Sequence, residues 1–474
     1  MSIVRPGALC VALAAALPAV ASAADSAADL KQLRDELRAL RDTYQQRIDA
    51  LEKRLADSEA RAARAETTAT AAARSVEQAE QKAAALPDVA IAPATPPTGE
   101  GAFNPAVSLI LDSKFTRFQQ DPAKYRLDGF IPSGGEVGPP RKGFSLGESE
   151  LAVSANVDHL FRGNARFSLA DDGAGGTVEV EEAHIETLAL PEGLKLKAGR
   201  FLSGVGYLNV QHPHEWDFTD APLAYKAFLG PRLQNDGVQL RWVAPTDLFV
   251  ELGGELASGQ KYPGAERAAN GAGLWTAFAH VGGDVGASSA WQVGLSHVHA
   301  NPRARTWTFE DGVVSNAFSG RSRLWIADFV YKWAPDGNPT VNNLKLQGEF
   351  FRRSEDGDLT YDLAGAGQAS AASFRQSGGY LQAVYQFMPH WRAGVRGDWL
   401  RAGSIDLGSL STTELPGLAV YNPSRQSAMV DWSPSEFSRL RLQLARDTSR
   451  AGETDHQLWL QYIMSLGAHG AHKF

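Results

Sequence analysis

The last stretch of the chain, residues 455–474, reads "DHQLWLQYIMSLGAHGAHKF" and decides the fold class. Apolar side chains fall on every second position, at Leu458, Leu460, Tyr462, Met464 and Leu466. Polar side chains occupy alternate positions at Gln457, Gln461 and Ser465. Because successive side chains of a strand point to opposite faces, this period of two predicts a strand with one apolar face. Whether that face meets a protein core or lipid depends on the rest of the chain.

The composition and the N-terminus indicate an exported globular protein. The 474 residues carry a net charge of −8, a mild acidity that argues against a nucleic-acid partner. Residues 1–23 combine Arg5, a short Ala/Leu/Val run and Ala21-Ser22-Ala23, which predicts a secretory signal peptide cleaved after Ala23. The single cysteine, Cys10, lies in that segment, so we expect a mature protein without disulfides or cysteine-bound metal.

Residues 24–86 predict an α-helical coiled coil, which would lie in the periplasm. They lack glycine and proline, and apolar residues recur at steps of three and four at Leu30, Leu33, Leu37, Leu40, Tyr44, Ile48, Leu51 and Leu55. Such a seam favours self-association, and a single solvated helix is the alternative. Residues 87–102 predict a proline-rich, extended linker.

Residues 103–474 replace the helical period with about sixteen alternating runs. Each run has close to the 9–11 residues that a tilted membrane strand needs. The runs lie near residues 106–117, 146–157, 164–171, 177–189, 193–201, 236–243, 247–257, 273–283, 289–298, 322–333, 340–353, 378–388, 391–401, 425–433, 437–446 and 456–466.

The connections between these runs alternate in length. Those after even-numbered runs are short, for example "LPEG", "APTD" and "MPH". Those after odd-numbered runs are mostly long, as at 119–143, 202–236, 301–320 and 356–377. This alternation is typical of outer-membrane barrels, in which the turns face the periplasm and the loops face outside. It places both chain ends in the periplasm.

The side-chain pattern agrees with a barrel. Leu240 and Trp242 alternate with Gln239 and Arg241, and aromatic residues suited to an interfacial girdle stand near run ends at Phe115, Trp242, Trp333, Phe387, Trp399 and Trp432. A soluble sandwich would show the same alternation. Export, the number of runs and the girdle favour an all-β transmembrane barrel of about 16 antiparallel strands in the outer membrane of a Gram-negative bacterium.

Several segments resemble known outer-membrane proteins. Residues 178–209, "VEVEEAHIETLALPEGLKLKAGRFLSGVGYLN", are similar to a strand, turn and strand of phosphate-selective and general porins. "GFSLGESELAVSANVD" (143–158) and "GAHGAHKF" (467–474) are similar to bacterial outer-membrane barrels with an N-terminal coil, a group often labelled zinc-regulated outer-membrane receptors. The terminal Phe474 resembles the signal by which the barrel-assembly machinery recognises its substrates.

The resemblance and the chain organisation predict a porin for passive diffusion of small hydrophilic solutes or ions. Energy-coupled receptors carry a folded plug before a 22-stranded barrel, whereas this chain has a coil, a linker and a smaller barrel. Porins of this size commonly fold one loop into the lumen, and 202–236 is the longest loop, so it is the expected constriction. Pore-lining side chains of both signs are expected at Lys195, Lys197, Arg241, Glu251, Lys345, Glu349, Arg396, Asp398, Arg439 and Arg441.

Zn²⁺ is the one candidate cofactor. The loop stretch "HPHEWD" holds His212, His214, Glu215 and Asp217, residue types that bind Zn²⁺, although the histidines would equally brace a rigid loop. A second candidate set is Glu182, His184 and Glu186. Their face also holds Val178 and Val180, which predicts either a bulge near Glu181 or a face of changing character. The tail histidines His469 and His472 are a third.

The remaining expectations concern activity and partners. We expect no enzyme, since His280 and His297 lie in strand runs without any motif for a Ser-His-carboxylate triad. The expected partners are the lipid bilayer, lipopolysaccharide and two further copies of the chain in a trimer. A metal-uptake barrel and a coil that tethers the envelope are the alternatives to the porin.

Overall fold

The computed structural model describes residues 105–134, 137–170, 176–265, 271–308 and 314–467. The predicted signal peptide, coiled coil and linker lie outside these residues, as do His469, His472 and Phe474. The predicted tether would be formed by the coiled coil, so it too lies outside the described residues.

Strands are the main regular structure of the described chain. The first nine are β1 (Ala106–Phe118), β2 (Gly143–Leu146), β3 (Ser149–Asn156), β4 (Phe161–Ala170), β5 (Thr177–Thr187), β6 (Leu194–Leu202), β7 (Gln234–Val243), β8 (Phe249–Ala257) and β9 (Leu274–Val285). The others are β10 (Ser289–Ala300), β11 (Arg305–Thr308), β12 (Ser315–Trp333), β13 (Asn343–Tyr361), β14 (Gln368–Met388), β15 (Trp391–Asp406), β16 (Ser424–Ser435), β17 (Ser438–Asp447) and β18 (Asp455–Gly467).

Helices are few and short. The α-helix α1 (Leu223–Phe228) lies in the long connection between β6 and β7, and 3-10 turns span Pro122–Lys124, Pro213–Glu215, Pro335–Gly337 and Pro416–Leu418. None of the helices in the described ranges is long and apolar enough to cross a membrane.

The strands close into a sixteen-stranded antiparallel barrel. The first and last strands pair along their length, from Ser108 with Gly467 to Phe118 with Gln457. Both β2 and β3 pair with β1, and both β10 and β11 pair with β12, so each of these two pairs forms one interrupted barrel strand. The closed ladder confirms the predicted barrel and its strand number, and it overturns the sandwich alternative.

The connections confirm the predicted alternation at one end of the barrel. Every connection at the end that carries both Ala106 and Gly467 is short, at residues 157–160, 188–193, 244–248, 286–288, 334–342, 389–390 and 436–437. We call this end the turn end and the opposite end the loop end.

Strands extend into the expected loops at 301–320 and 356–377, so these loop boundaries were wrong. β12 begins at Ser315, β13 continues to Tyr361 and β14 begins at Gln368. The outward positions in these extensions carry Arg, Ser and Asp side chains, so the alternation of apolar and polar residues ends there. The hydrogen-bonded ladder continues because backbone pairing does not depend on that alternation.

The two faces of the sheet reverse the arrangement of a soluble protein. Leu240, Val395, Leu442 and Leu444 are exposed on the outer face, whereas Gln239, Arg441 and Gln443 are buried on the inner face. An exposed apolar surface with buried polar groups marks a non-aqueous environment on the outside. Outward aromatic side chains ring the turn end at Phe249, Phe387, Trp391, Trp432 and Tyr462, as in a barrel that crosses a membrane.

Apolar side chains also pack inside the barrel toward the loop end. One cluster joins residues of the β6–β7 connection, such as Leu223 and Phe228, to inward residues of the wall such as Phe351 and Leu400. A second cluster joins Phe318 and Phe374 to Leu415 and Leu418 of the β15–β16 connection. Apolar packing therefore occupies part of the interior toward the loop end, next to buried charged side chains such as Arg353 and Glu355.

Candidate functional site

The connection between β6 and β7, residues 203–233, packs against the inner wall of the barrel. Its helix α1 lies against β13, β14 and β15. The Leu223 N–H donates to the Asp398 carboxylate at 3.0 Å, and the Tyr225 hydroxyl donates to Glu349 at 2.9 Å. Glu349 also accepts from the Leu208 N–H at 3.0 Å. These contacts attach one part of the connection to β13 and β15 inside the barrel, and we call residues 203–233 the inner loop.

Ion pairs attach the inner loop to the same wall. Asp217 is 2.8 Å from Lys345 and 3.1 Å from Arg392, while Asp220 pairs with Arg396 at 3.1 Å and with Arg425. Burial would raise the pKa of Asp217, but the cations of Lys345 and Arg392 hold it well below its ordinary value. Both carboxylates are therefore ionised anchors of the loop.

On the opposite side, the inner loop presents two histidines to three glutamates of the wall. The His212 Nδ1 atom lies 2.9 Å from Glu150 Oε2 and 3.2 Å from Glu181 Oε2, and its Nε2 atom lies 3.3 Å from Glu182 Oε2. The His214 Nδ1 atom lies 3.8 Å from the same Glu150 oxygen. All five side chains are buried, and we call them the histidine–glutamate cluster.

A β-bulge and a short turn build this cluster. Arg166 pairs with Glu182 and Phe167 pairs with Val180, so Glu181 is an extra residue in β5. The bulge turns both Glu181 and Glu182 into the interior, which confirms the first of the two predicted causes of the phase change. On the loop side, Glu215 accepts from the His212 N–H at 3.0 Å and fixes the turn that carries both histidines.

Two arginines reduce the negative charge of the cluster. Arg166 contacts Glu150 at 2.7 Å and Glu182 at 3.3 Å, and Arg232 pairs with Glu181. Burial alone would lower the pKa of His212, but hydrogen bonds to its three carboxylates raise it well above its ordinary value. Burial, with the nearby charge of His212, lowers the pKa of His214 to about 4. The two rings thus differ in charge at neutral pH.

The predicted metal-site residues separate in the structure. His212 and His214 belong to the cluster, whereas Glu215 is exposed and Asp217 is held by Lys345 and Arg392. Of the second predicted set, Glu182 joins the cluster. His184 lies 3.3 Å from the Arg200 carbonyl oxygen, and Glu186 pairs with Lys195 at 2.9 Å.

The predicted pore-lining residues fall into two groups. Those that keep some exposure are Lys195, Lys197, Arg241, Lys345 and Arg439. Those that are buried are Glu251, Glu349, Arg396, Asp398 and Arg441. Most of the second group contact the inner loop directly, so they hold the loop in place instead of facing open water.

Glu150 and Glu181 were absent from the predicted metal site although they stand closest to His212. Glu150 lies more than 60 residues from His212 in the chain, and the two meet because β3, β4 and β5 pair in sequence and the inner loop folds back against them. The sequence does indicate Glu181, because the adjacent acidic residues "EE" interrupt the alternation of apolar and polar residues in β5.

Comparisons with known proteins give one relative and a set of structures. No protein-family model matches the chain. The chain has similar structures in OmpT with loop L8 deleted, an outer membrane protein of Vibrio cholerae (TM-score 0.48, 10% identity, 77% of this chain and 100% of that chain), and in an anion-selective porin from Comamonas acidovorans (0.45, 9%, 77% and 99%). A third is the outer membrane channel DcaP of Acinetobacter baumannii (0.46, 8%, 78% and 99%).

The relative is an uncharacterized protein of Aquifex aeolicus (strain VF5). It is 31% identical over 410 residues, and the alignment covers 80% of this chain and 81% of that protein. At this identity and coverage, the chain belongs to the same protein family as the Aquifex aeolicus protein.

Proposed function

We propose that the protein is an outer-membrane channel through which small hydrophilic solutes diffuse, with a preference for anions. The apolar outer face, the aromatic ring at the turn end and the predicted export signal support the location. The polar inner wall of β4–β7, on the side of the barrel away from α1, supports a water-filled path beside the inner loop, which narrows it.

The main support for the anion preference is the unequal exposure of the two partners in the ion pairs along this path. The side chains of Arg166, Lys195 and Arg241 are 34–43% exposed, whereas their partners Glu150, Glu186 and Glu251 are at most 15% exposed. In each pair the cationic group faces the proposed water-filled path, and the carboxylate lies behind it, more deeply buried. A solute in the path therefore meets a cationic edge, which favours anions.

Reconstitution of the purified protein in a planar lipid bilayer tests this function. We expect stepwise channels, closing in groups of three if the proposed trimer forms, with a reversal potential that indicates anion preference in a KCl gradient. Lys195→Gln combined with Lys197→Gln should lower the anion-to-cation permeability ratio by about twofold or more, because two exposed cations leave the path.

Arg352→Gln is the matched control, since Arg352 is exposed on the outer face of β13. It should leave the permeability ratio unchanged. An absence of channels, or an equal effect of the control and the paired lysine variants, would contradict the proposal.

A second proposed function, capture of Zn²⁺ or a similar divalent cation, is favoured by the geometry of the histidine–glutamate cluster. Tetrahedral Zn²⁺ with bonds of about 2.0–2.1 Å holds its ligand atoms roughly 3.3 Å apart. His212 Nδ1 lies within about that distance of one oxygen from each of Glu150 and Glu181. Glu182 stands at the other ring nitrogen, where a carboxylate commonly orients a metal-bound histidine.

Calorimetric titration of the purified protein with ZnCl₂ tests the second function. We expect one site per chain in the native protein and loss of that site in His212→Gln. His184→Gln is the matched control, an inward histidine outside the cluster, and should bind as the native protein does. Equal binding by both variants, or none by the native protein, would leave His212 as a structural imidazolium.

A further inference from the structure

A row of arginines follows the apolar outer surface of the barrel on its loop-end side. On five strands, the outward residue two positions beyond an apolar side chain, in the direction of the loop end, is arginine. The pairs are Phe115 with Arg117, Trp325 with Arg323, Phe350 with Arg352, Trp399 with Arg401 and Leu444 with Arg446. We call Arg117, Arg323, Arg352, Arg401 and Arg446 the arginine belt.

The belt sits at one depth on every strand that carries it. Two residues span roughly 7 Å along a strand, so each guanidinium begins one step beyond an aromatic ring or a leucine that faces lipid. Aromatic side chains mark the boundary between hydrocarbon and headgroups in membrane barrels, and long basic side chains reach from that boundary toward the headgroups. The belt therefore lies where the headgroups of the leaflet at the loop end lie.

Four of the five belt arginines carry a charge that no described carboxylate neutralises. All five arginines are exposed, and Arg323 pairs with Asp356 at 3.2 Å. Within the described ranges, no carboxylate lies within ion-pair distance of the other four. Hydroxyl groups accompany the belt, since Ser377 stands between Arg352 and Arg401 in the register of the sheet.

An outward arginine elsewhere on the barrel shows the contrast. Arg200, on β6, stands two positions beyond Ala198 on the outer face, but it makes two bonds to Asp236, at 2.6 and 3.0 Å. Its charge is therefore already satisfied within the protein. On the belt, by contrast, four guanidinium groups face the membrane boundary with their charge available to a ligand.

We propose that the arginine belt binds the phosphate groups of a phosphorylated saccharolipid, such as lipopolysaccharide, in the outer leaflet. Guanidinium groups bind phosphate through two parallel hydrogen bonds, and the adjacent Ser377 hydroxyl can donate to a further oxygen. The acyl chains would lie on Phe350, Trp399 and Leu444, directly below the belt. The inference rests on the proposed outer-membrane location, but it does not require the barrel to conduct.

Binding of purified lipopolysaccharide to the full-length protein in detergent tests the belt. We expect the combined variant Arg352→Gln, Arg401→Gln and Arg446→Gln to bind lipopolysaccharide about 100-fold more weakly than the native protein. Lipopolysaccharide stripped of its phosphates should bind the native protein as weakly as the intact lipid binds the variant. Excess inorganic phosphate should displace little lipid, because a free ion lacks the acyl chains.

Controls distinguish lipid binding at the belt from adsorption elsewhere on the barrel. Arg200→Gln should bind lipopolysaccharide as the native protein does, and the combined variant should keep its channel conductance. Undiminished binding by the combined variant would overturn the proposal, as would complete displacement by inorganic phosphate. A disulfide-linked dimer formed by Arg352→Cys would overturn it as well, since a second copy would then cover the belt. If the native protein forms channels but does not bind lipopolysaccharide, only this inference is overturned. If it binds lipopolysaccharide but forms no channels, only the proposed channel function is overturned.

Discussion

At the scale of single residues, the seam between the first and second barrel strands depends on Gly147. The Gly147 N–H donates to the Asp112 carbonyl oxygen at 2.8 Å in the break between β2 and β3. A Cβ atom at this position would lie 2.3 Å from the Asp112 carboxylate. That carboxylate is fully buried and accepts from Gln461 at 3.0 Å, so it has little room to move.

Gly147→Ala should therefore destabilise the barrel by about 1–3 kcal/mol, because overpacking at a buried site costs that much. The measurement is the temperature at which the folded barrel loses its compact migration on a detergent gel. Gly397→Ala is the matched control, since a Cβ atom there meets nothing within 4 Å. If both variants lowered this temperature equally, the loss of stability would come from strand propensity and not from the contact with Asp112.

At the scale of elements, the inner loop is fixed by many polar bonds to the wall and by apolar packing. The Tyr225 and Tyr380 hydroxyls both donate to Glu349, at 2.9 and 2.7 Å, while the ring of Phe228 stacks on Phe351 at 5.9 Å. The apolar packing holds the loop against the wall, and the hydrogen bonds fix its position there. Loss of one of these hydrogen bonds should therefore loosen the loop while the apolar contacts remain.

Tyr225→Phe should weaken the loop attachment by about 1 kcal/mol, which corresponds to about a fivefold larger population of detached loop. We expect more frequent current fluctuations in open channels and faster proteolysis within residues 203–233. Tyr331→Phe, which removes a hydroxyl bonded to Ser289 near the turn end, is the control and should change neither. Unchanged fluctuations in Tyr225→Phe would mean that the apolar packing alone fixes the loop.

At the scale of the whole molecule, the sequence predicts the barrel well because its signal is local and repeated. Each strand displays the same period of two, so sixteen independent segments support one architecture. Strand ends beyond the membrane are harder to predict, as β13 shows between Arg352 and Tyr361, because both faces there are polar. Three of the five residues of the histidine–glutamate cluster were predicted. Glu150 and Glu181 were not, because they meet His212 only when the inner loop folds back onto β3 and β5.

The pairing of the first strand with the last also determines when the barrel can close. β1 pairs with β18, so the first barrel strand of the described chain needs the last one as its partner. Until Asp455–Gly467 is available, β1 and β17 are open edges with unpaired backbone groups, which lipid cannot satisfy. A chain cut short upstream of β18 therefore leaves β1 and β17 as open edges and cannot close the barrel.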